Sequence, residues 1–221
     1  VNLLEAHTKK TPLLLFDFDG VIADSFHVFY PCFVDMCRDC GYLVQSEAEF
    51  LRLFEDNVRE SLLREGFPVD RIEMLAQDFA PRIAVANQQC EPFPKMVSVV
   101  SKLAAKCPLV IITSNNTEPV QEFIDRHEIT GIRGVLGADI ESSKVKKIHT
   151  VAREYPQHQP FYIGDTKGDM LEGQRAGAVT VGASWGWHPK TTLAEVSPDY
   201  LLDTPDELLD LFTVMDTSSS H

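Results

Sequence analysis

Leu13-Leu14-Leu15-Phe16-Asp17-Phe18-Asp19-Gly20-Val21-Ile22-Ala23-Asp24-Ser25 is the stretch on which the fold turns. It opens as an unbroken apolar run, the pattern of a strand buried on both faces. It then reaches two carboxylates two positions apart, followed by a glycine. Residues i and i+2 of a strand point the same way, and Gly20 supplies the backbone freedom to turn at the strand's end. Two like charges this close repel, and burying them is costly. Two solvated carboxylates in a surface turn are the plainer alternative, but they fit poorly beside an apolar run. A metal-dependent site, in which one aspartate attacks and the other moves protons, fits better.

Around that stretch the chain reads as strand one over about 12–18, preceded by a polar, loosely docked segment at 1–11. A helical block follows. Phe26, Phe29, Phe33, Val34 and Cys37 have helical spacing, and Gly41 ends that helix. Ser46-Glu47-Ala48-Glu49 and Asp70-Arg71-Ile72-Glu73 read as capping boxes. The second opens a helix with apolar residues at Ile72, Leu75, Ala76, Phe79 and Ile83, which Pro81 is expected to kink. After Pro92-Phe93-Pro94 strands and helices alternate. Strands are expected at 109–112, 135–136, 161–164, 179–182 and 200–202. Helices are expected at 95–106, from 117, at 143–155, at 167–176 and at 204–212, with a polar, disordered tail at 217–221. Alternation of this kind means an α/β fold: a Rossmann-like open parallel sheet core with an inserted all-helical cap domain. The core is expected at 1–23 and 92–221, and the cap at 24–91.

The 221 residues, 44% of them apolar, suit one core domain with a sizeable insertion. A formal net charge of −13 repels nucleic acid and anionic membranes. No apolar run approaches a membrane span, and the N-terminal run is too short and too soon interrupted by Asp17 for a signal peptide. A cytoplasmic monomer or homodimer is the expectation. Of the five cysteines, Cys37 and Cys40 form a lone C-x-x-C without two further zinc ligands nearby, so they read as small buried residues.

In a parallel sheet, ligands bind beyond the carboxyl ends of the strands. The polar residues that break the apolar pattern stand there: Asp17 and Asp19, Thr113 and Ser114, Asp165 and Asp169. Asp17-Phe18-Asp19-Gly20-Val21 resembles the D-x-D-G-x signature of the haloacid dehalogenase superfamily, chiefly its phosphatases. Ile111-Ile112-Thr113-Ser114-Asn115 resembles the second motif of that family, an apolar strand ending in Thr or Ser. Ser143-Lys144-Val145-Lys146-Lys147-Ile148 resembles the third, where a lysine pairs with the nucleophile; Lys144 fits best, with Lys147 second. Tyr162-Ile163-Gly164-Asp165-Thr166-Lys167-Gly168-Asp169 resembles the G-D-T-x-x-D signature. With their flanking elements these matches cover about 13–212.

The resemblance implies the roles. Asp17 attacks phosphorus and forms an aspartyl-phosphate, while Asp19 protonates the leaving alcohol and then activates water. Mg²⁺ is held by Asp17, the Asp19 backbone carbonyl and Asp165, with Asp169 in support. Thr113, Ser114, Asn115 and Lys144 bind the phosphoryl group. Asp19 argues against alkyl-halide hydrolysis, whose leaving group needs no proton. The absence of lysine from the inserted block argues against phosphonate cleavage through a Schiff base. The implied activity is hydrolysis of a small phosphorylated metabolite, with phosphoglycolate phosphatases the nearest-looking relatives. A sugar phosphomutase and a catalytically silent phosphate-ester-binding module are the alternatives. Two connections, near 23–25 and 91–94, would hinge the cap, and one or more of its six arginines, Arg38, Arg52, Arg59, Arg64, Arg71 and Arg82, would grip the substrate's far end, the others being solvated.

Overall fold

A strand buried on both faces must find apolar partners above and below it. Leu14 and Phe16 pack into one cluster, Leu13 and Leu15 into another, and all four are fully buried. The computed structural model describes residues 10–217. The expectations for 1–9 and 218–221 lie outside these described residues.

The strand itself, β1 (Thr11–Phe16), starts one residue earlier and ends two residues sooner than its sequence suggests. Thr11 is thus part of the sheet rather than of a loose end. Beyond Asp17 the backbone coils, and the Phe18 carbonyl accepts from Ile22 N and Ala23 N at 2.9 and 3.0 Å. Gly20 takes φ +74° inside this coil. The chain then runs through β2 (Ala23–Asp24), four helices, and β3 (Glu91–Pro92), which pairs antiparallel with β2. The helices are α1 (Phe26–Asp39), α2 (Glu47–Leu53), α3 (Val58–Arg64) and α4 (Ile72–Asn87).

The remainder alternates: α5 (Met96–Ala104), β4 (Leu109–Ile112), α6 (Thr117–Arg126), β5 (Gly134–Leu136), α7 (Lys144–Glu154), β6 (His158–Gly164), α8 (Lys167–Arg175), β7 (Val179–Ala183), α9 (Lys190–Ala194), β8 (Tyr200–Leu202) and α10 (Asp206–Thr217). Six strands form one parallel sheet in the order β5-β4-β1-β6-β7-β8. This is the Rossmann-like α/β architecture. Val100 of α5, Phe123 of α6 and Leu208 of α10 cover the Leu14–Phe16 face, and Ile148 and Val151 of α7 cover the other. Among the described residues no helix is long and apolar enough to cross a membrane.

Helices α1–α4 bury a second cluster, which includes Phe29, Phe33, Met36, Phe50, Leu62 and Ile83 and is joined by Trp187 from the loop between β7 and α9. Cys37 and Cys40 are buried in it, and burial pushes the Cys37 thiol up to about 12. Several local expectations shift here. Ser46 accepts from Glu49 N, but Glu49 reaches back to Gln45 N rather than to Ser46. The Asp70 box does not form: a short 3₁₀ turn at Val69–Arg71 leads into α4, and Pro68 rather than Asp70 stands at its N-cap. α4 is a single helix with Pro81 inside it, so the proline does not end it. The short α3, capped by Asn57, and α9 have no counterpart in the expected pattern.

Phe50 is fully buried, with its ring centroid 4.9–6.2 Å from those of Phe26, Phe29, Tyr30, Phe33, Phe54 and Trp187. Phe50→Ala is expected to cost about 3–5 kcal/mol through lost burial and the cavity left behind. A lowered urea midpoint, followed by tryptophan fluorescence, is the measurement that checks it.

Candidate active site

Three central strands end together. Phe16 of β1 stands opposite Ile111 of β4 and Ile163 of β6. One step beyond Phe16 is Asp17, two beyond Ile111 is Thr113, and two beyond Ile163 is Asp165. Neighbouring strands lie about 4.8 Å apart, so the register alone gathers these residues at one edge. Asp17 N still donates to Ile163 O at 2.8 Å, which fixes the first residue past the strand.

The α7 and α8 helices complete the group. Ser143 caps α7, accepting from Lys146 N. Lys144, the first residue of that helix, sends its Nζ to Asp17 Oδ2 at 2.8 Å and to Asp169 Oδ1 at 2.6 Å. Thr166 and Asp169 form a capping box at the start of α8. Asp169 is fully engaged: Oδ1 also accepts from the Tyr162 hydroxyl at 2.9 Å, and Oδ2 from Thr166 N and Oγ1. Asp165 Oδ2 accepts from Trp187 N at 2.7 Å. Asp17, Asp165, Asp169 and Lys144 are each less than 10% exposed.

Charge in this closed space is unbalanced. Oxygens of Asp17, Asp165 and Asp169 all lie within 4.8 Å of one another, against one ammonium. Burial pushes Asp17 up to about 7, opposed by Lys144 and reinforced by Asp169. Burial, with the charges of Asp169 and Asp17, drives Asp165 well above the usual carboxylate range. Burial acts the same way on Asp169, but Lys144 and the bonds from Thr166 and Tyr162 hold it below that range. Burial works against the Lys144 ammonium, yet Asp169 and Asp17 keep its pKa well above ordinary lysine. A divalent cation with oxygen ligands fits such a set, because its charge reverses the penalty on Asp17 and Asp165.

Asp19 lies beside this cluster, half-buried. Its Oδ2 accepts from Asn115 Nδ2 at 3.4 Å, and its Oδ1 is buried without a hydrogen-bond partner. Burial raises its pKa, with Ser25 and Asn115 pulling the other way. Thr113 is buried, and its Oγ1 accepts from Asn115 N at 3.0 Å. Ser114 is exposed and takes no part in the hydrogen bonds that join the others. Lys147, the second lysine of its motif, is buried too, but its Nζ donates to the Thr113 carbonyl at 2.6 Å. Five of the six arginines of the inserted block have partners within it: Arg38, Arg59, Arg71 and Arg82 pair with acidic residues, and Arg64 donates to Ser61.

Residues 14–183 match the model of a family described as haloacid dehalogenase-like hydrolase. The chain belongs to the haloacid dehalogenase-like hydrolases. It is 26% identical over 205 residues to a phosphoglycolate phosphatase from Synechococcus elongatus, covering 90% of this chain and 96% of that one. It is 43% identical over 210 residues to a Clostridium perfringens protein provisionally named pyrophosphatase PpaX, covering 90% and 95%. Its fold superposes on a haloacid dehalogenase-like family hydrolase from Streptococcus pneumoniae with a TM-score of 0.77 at 24% identity, covering 92% and 98%. Within the family it stands among the phosphatases, hydrolases of phosphoric monoesters.

Two contributors to this hydrolase's site, Tyr162 and Trp187, have no role assigned from the sequence. Tyr162 sits fully buried in β6, and a buried phenol needs a hydrogen-bond partner. That need is a readable signal in the apolar, buried half of the strand, Phe161–Gly164. Trp187 contributes through its backbone N–H, which no residue type announces. Gly20 is pressed against the same carboxylate: a Cβ there would lie 1.9 Å from Asp165 Oδ2. Gly20→Ala is therefore expected to displace Asp165 and lower phosphate release from an aryl phosphate about tenfold or more, with far-UV circular dichroism unchanged.

Proposed function

We propose that this chain is an Mg²⁺-dependent phosphatase that hydrolyses a small phosphate monoester through a phosphorylated Asp17. The observation that carries this is the pairing of Asp17, ion-paired to Lys144, with Asp19, whose Oδ1 is buried and unpartnered. One carboxylate is held beside a cation, as a nucleophile requires. The other is biased by burial toward its protonated form, as a general acid requires.

The Asp17 carboxylate attacks phosphorus, and the bond from phosphorus to the substrate's ester oxygen breaks. Asp19 gives its proton to that oxygen, and the alcohol leaves. Asp19, now a carboxylate, takes a proton from water, and the resulting hydroxide attacks the same phosphorus. Inorganic phosphate departs and Asp17 returns to its starting state. Lys144 offsets the charge that gathers on the phosphoryl oxygens, and the buried Thr113 and Asn115 orient them, without a part for the exposed Ser114. Asp17, the Asp19 backbone carbonyl and Asp165 would hold Mg²⁺, with Asp169 acting through Lys144. When bound, the ion supplies Lewis-acid neutralisation of the phosphoryl group.

Residues 1–23 and 92–221 serve in this scheme as the catalytic core, and 24–91 as a cap that keeps bulk water from the phosphoenzyme. The pairing of β2 with β3 and the second apolar cluster of α1–α4, to which the core adds Trp187, support that division. One or more of the six cap arginines, Arg38, Arg52, Arg59, Arg64, Arg71 and Arg82, would grip the non-phosphate end of the substrate; Arg38, Arg59, Arg71 and Arg82 would first leave the exposed ion pairs they make within the block.

The test is a panel of 2-phosphoglycolate, pyrophosphate, sugar phosphates and an aryl phosphate, with release of inorganic phosphate as the signal. Release is expected to vanish with excess chelator and to return with Mg²⁺. Asp17→Asn is expected to abolish it, and Asp19→Asn to lower it about 10²–10⁴-fold. Full activity after removal of metal, or near-wild-type rates for both variants, would overturn the proposal. No release from any ester would instead favour a binding module.

A further inference from the structure

The dipeptide Trp187-His188 touches two parts of the molecule at once. On the core side, Trp187 N donates to Asp165 Oδ2 at 2.7 Å and His188 N to the Asp165 carbonyl at 3.2 Å. The preceding residue is pressed on the same carboxylate, since a Cβ on Gly186 would lie 2.3 Å from Asp165 Cβ. On the other side, the Trp187 ring stands 4.8–5.9 Å from the rings of Phe26, Phe29, Phe50 and Phe54, all in the inserted helices. The His188 ring is 1% exposed in sum with its backbone and works as a bridge. Its Nδ1 accepts from Lys167 N at 2.9 Å, which puts the ring proton on Nε2, where it faces the Leu51 carbonyl at 2.9 Å.

The bridge meets a need of the helix it reaches. The first N–H groups of any helix lack partners within the helix. In α8 Gly168 N is served directly by the Phe54 carbonyl, at 3.2 Å, and Lys167 N by the His188 ring, whose other nitrogen is held by the Leu51 carbonyl of α2. α8 is the helix that bears Asp169 and follows Asp165. Moving the inserted helices away would therefore strip Gly168 N of its partner, release the Nε2 side of the ring that serves Lys167 N, and loosen the loop that grips Asp165.

We propose that Trp187 and His188 couple the seating of the helical block to the placement of Asp165, so that metal binding and block docking reinforce each other. His188 acts as a positioning residue. The inference rests on Asp165 being a metal ligand, as proposed above. Linkage requires the effect to run both ways: a docked block raises affinity for the ion, and the ion favours docking.

The probe is Mg²⁺ alone, titrated calorimetrically into the full chain, with hydrogen exchange followed in peptides spanning 47–64. In the unaltered protein Mg²⁺ is expected to slow exchange in those peptides. His188→Leu is expected to weaken Mg²⁺ binding about tenfold, the usual scale for losing support behind a metal ligand, and to abolish the slowing. His188→Gln, which keeps an acceptor and a donor, is expected to restore much of both. Phe26→Leu removes a ring contact with Trp187 from the block side and is expected to weaken binding in the same direction; it decides the matter if His188→Leu fails to fold. Failure of the unaltered protein to bind Mg²⁺ would overturn the metal site itself. Normal binding with unchanged exchange, or unchanged affinity in both His188→Leu and Phe26→Leu, would overturn the coupling alone.

Discussion

One buried ammonium holds the site together. Lys144 lies between Asp17 and Asp169, and without it three carboxylates at the end of the sheet would face one another across a few ångströms. Removing a partner from a buried charge cluster leaves charge that neither water nor protein compensates. The surrounding structure is arranged to keep that ammonium in place. Ser143 caps the helix that carries it, Tyr162 and Thr166 take up the remaining oxygen capacity of Asp169, and the register of β1 with β6 sets the distance between Asp17 and α8. A cation at a helix N-terminus opposes the helix dipole. The two carboxylates that Lys144 meets outweigh that opposition.

Much of this was legible before any coordinates. Leu13 to Phe16 and Leu109 to Ile112 are apolar because both of their faces are covered, and such runs have few alternative readings. Asp17 and Asp165 interrupt the apolar pattern where strands end, and Asp169 follows in the first turn of the next helix, so chemistry and topology agree on them. The distinction between Lys144 and Lys147 was less accessible. They stand three residues apart on one helix, and only side-chain reach separates a lysine at the carboxylates from one at the Thr113 carbonyl.

What the sequence hid has a common cause. The end of β1 at Phe16 is set by the turn that Phe18 O and Gly20 make, a backbone event with little trace in side-chain pattern. Asp17 and Asp19 are neighbours through that coil rather than through strand alternation. The Asp70 box lost to a 3₁₀ turn behind Pro68, because local capping chemistry yields to the chain direction that packing imposes. The backbone amides of Trp187 and His188 hold Asp165 whatever their side chains are, so their part could be seen only in three dimensions.

The two-residue ladder between β2 and β3 has a consequence for how such a chain can change. Ala23 stands opposite Pro92 and Asp24 opposite Glu91, so the backbone leaves the sheet and comes back to it at adjoining points. From the sheet's side, everything between is a loop already closed. The entropy of closing a loop grows only logarithmically with its length, about 0.6 kcal/mol for each doubling. Residues could be added to or lost from α1–α4 with little strain on β1 or β4. The stretch between those two rungs is where this architecture can absorb length, while Asp17 and Asp165 stay where the parallel strands put them.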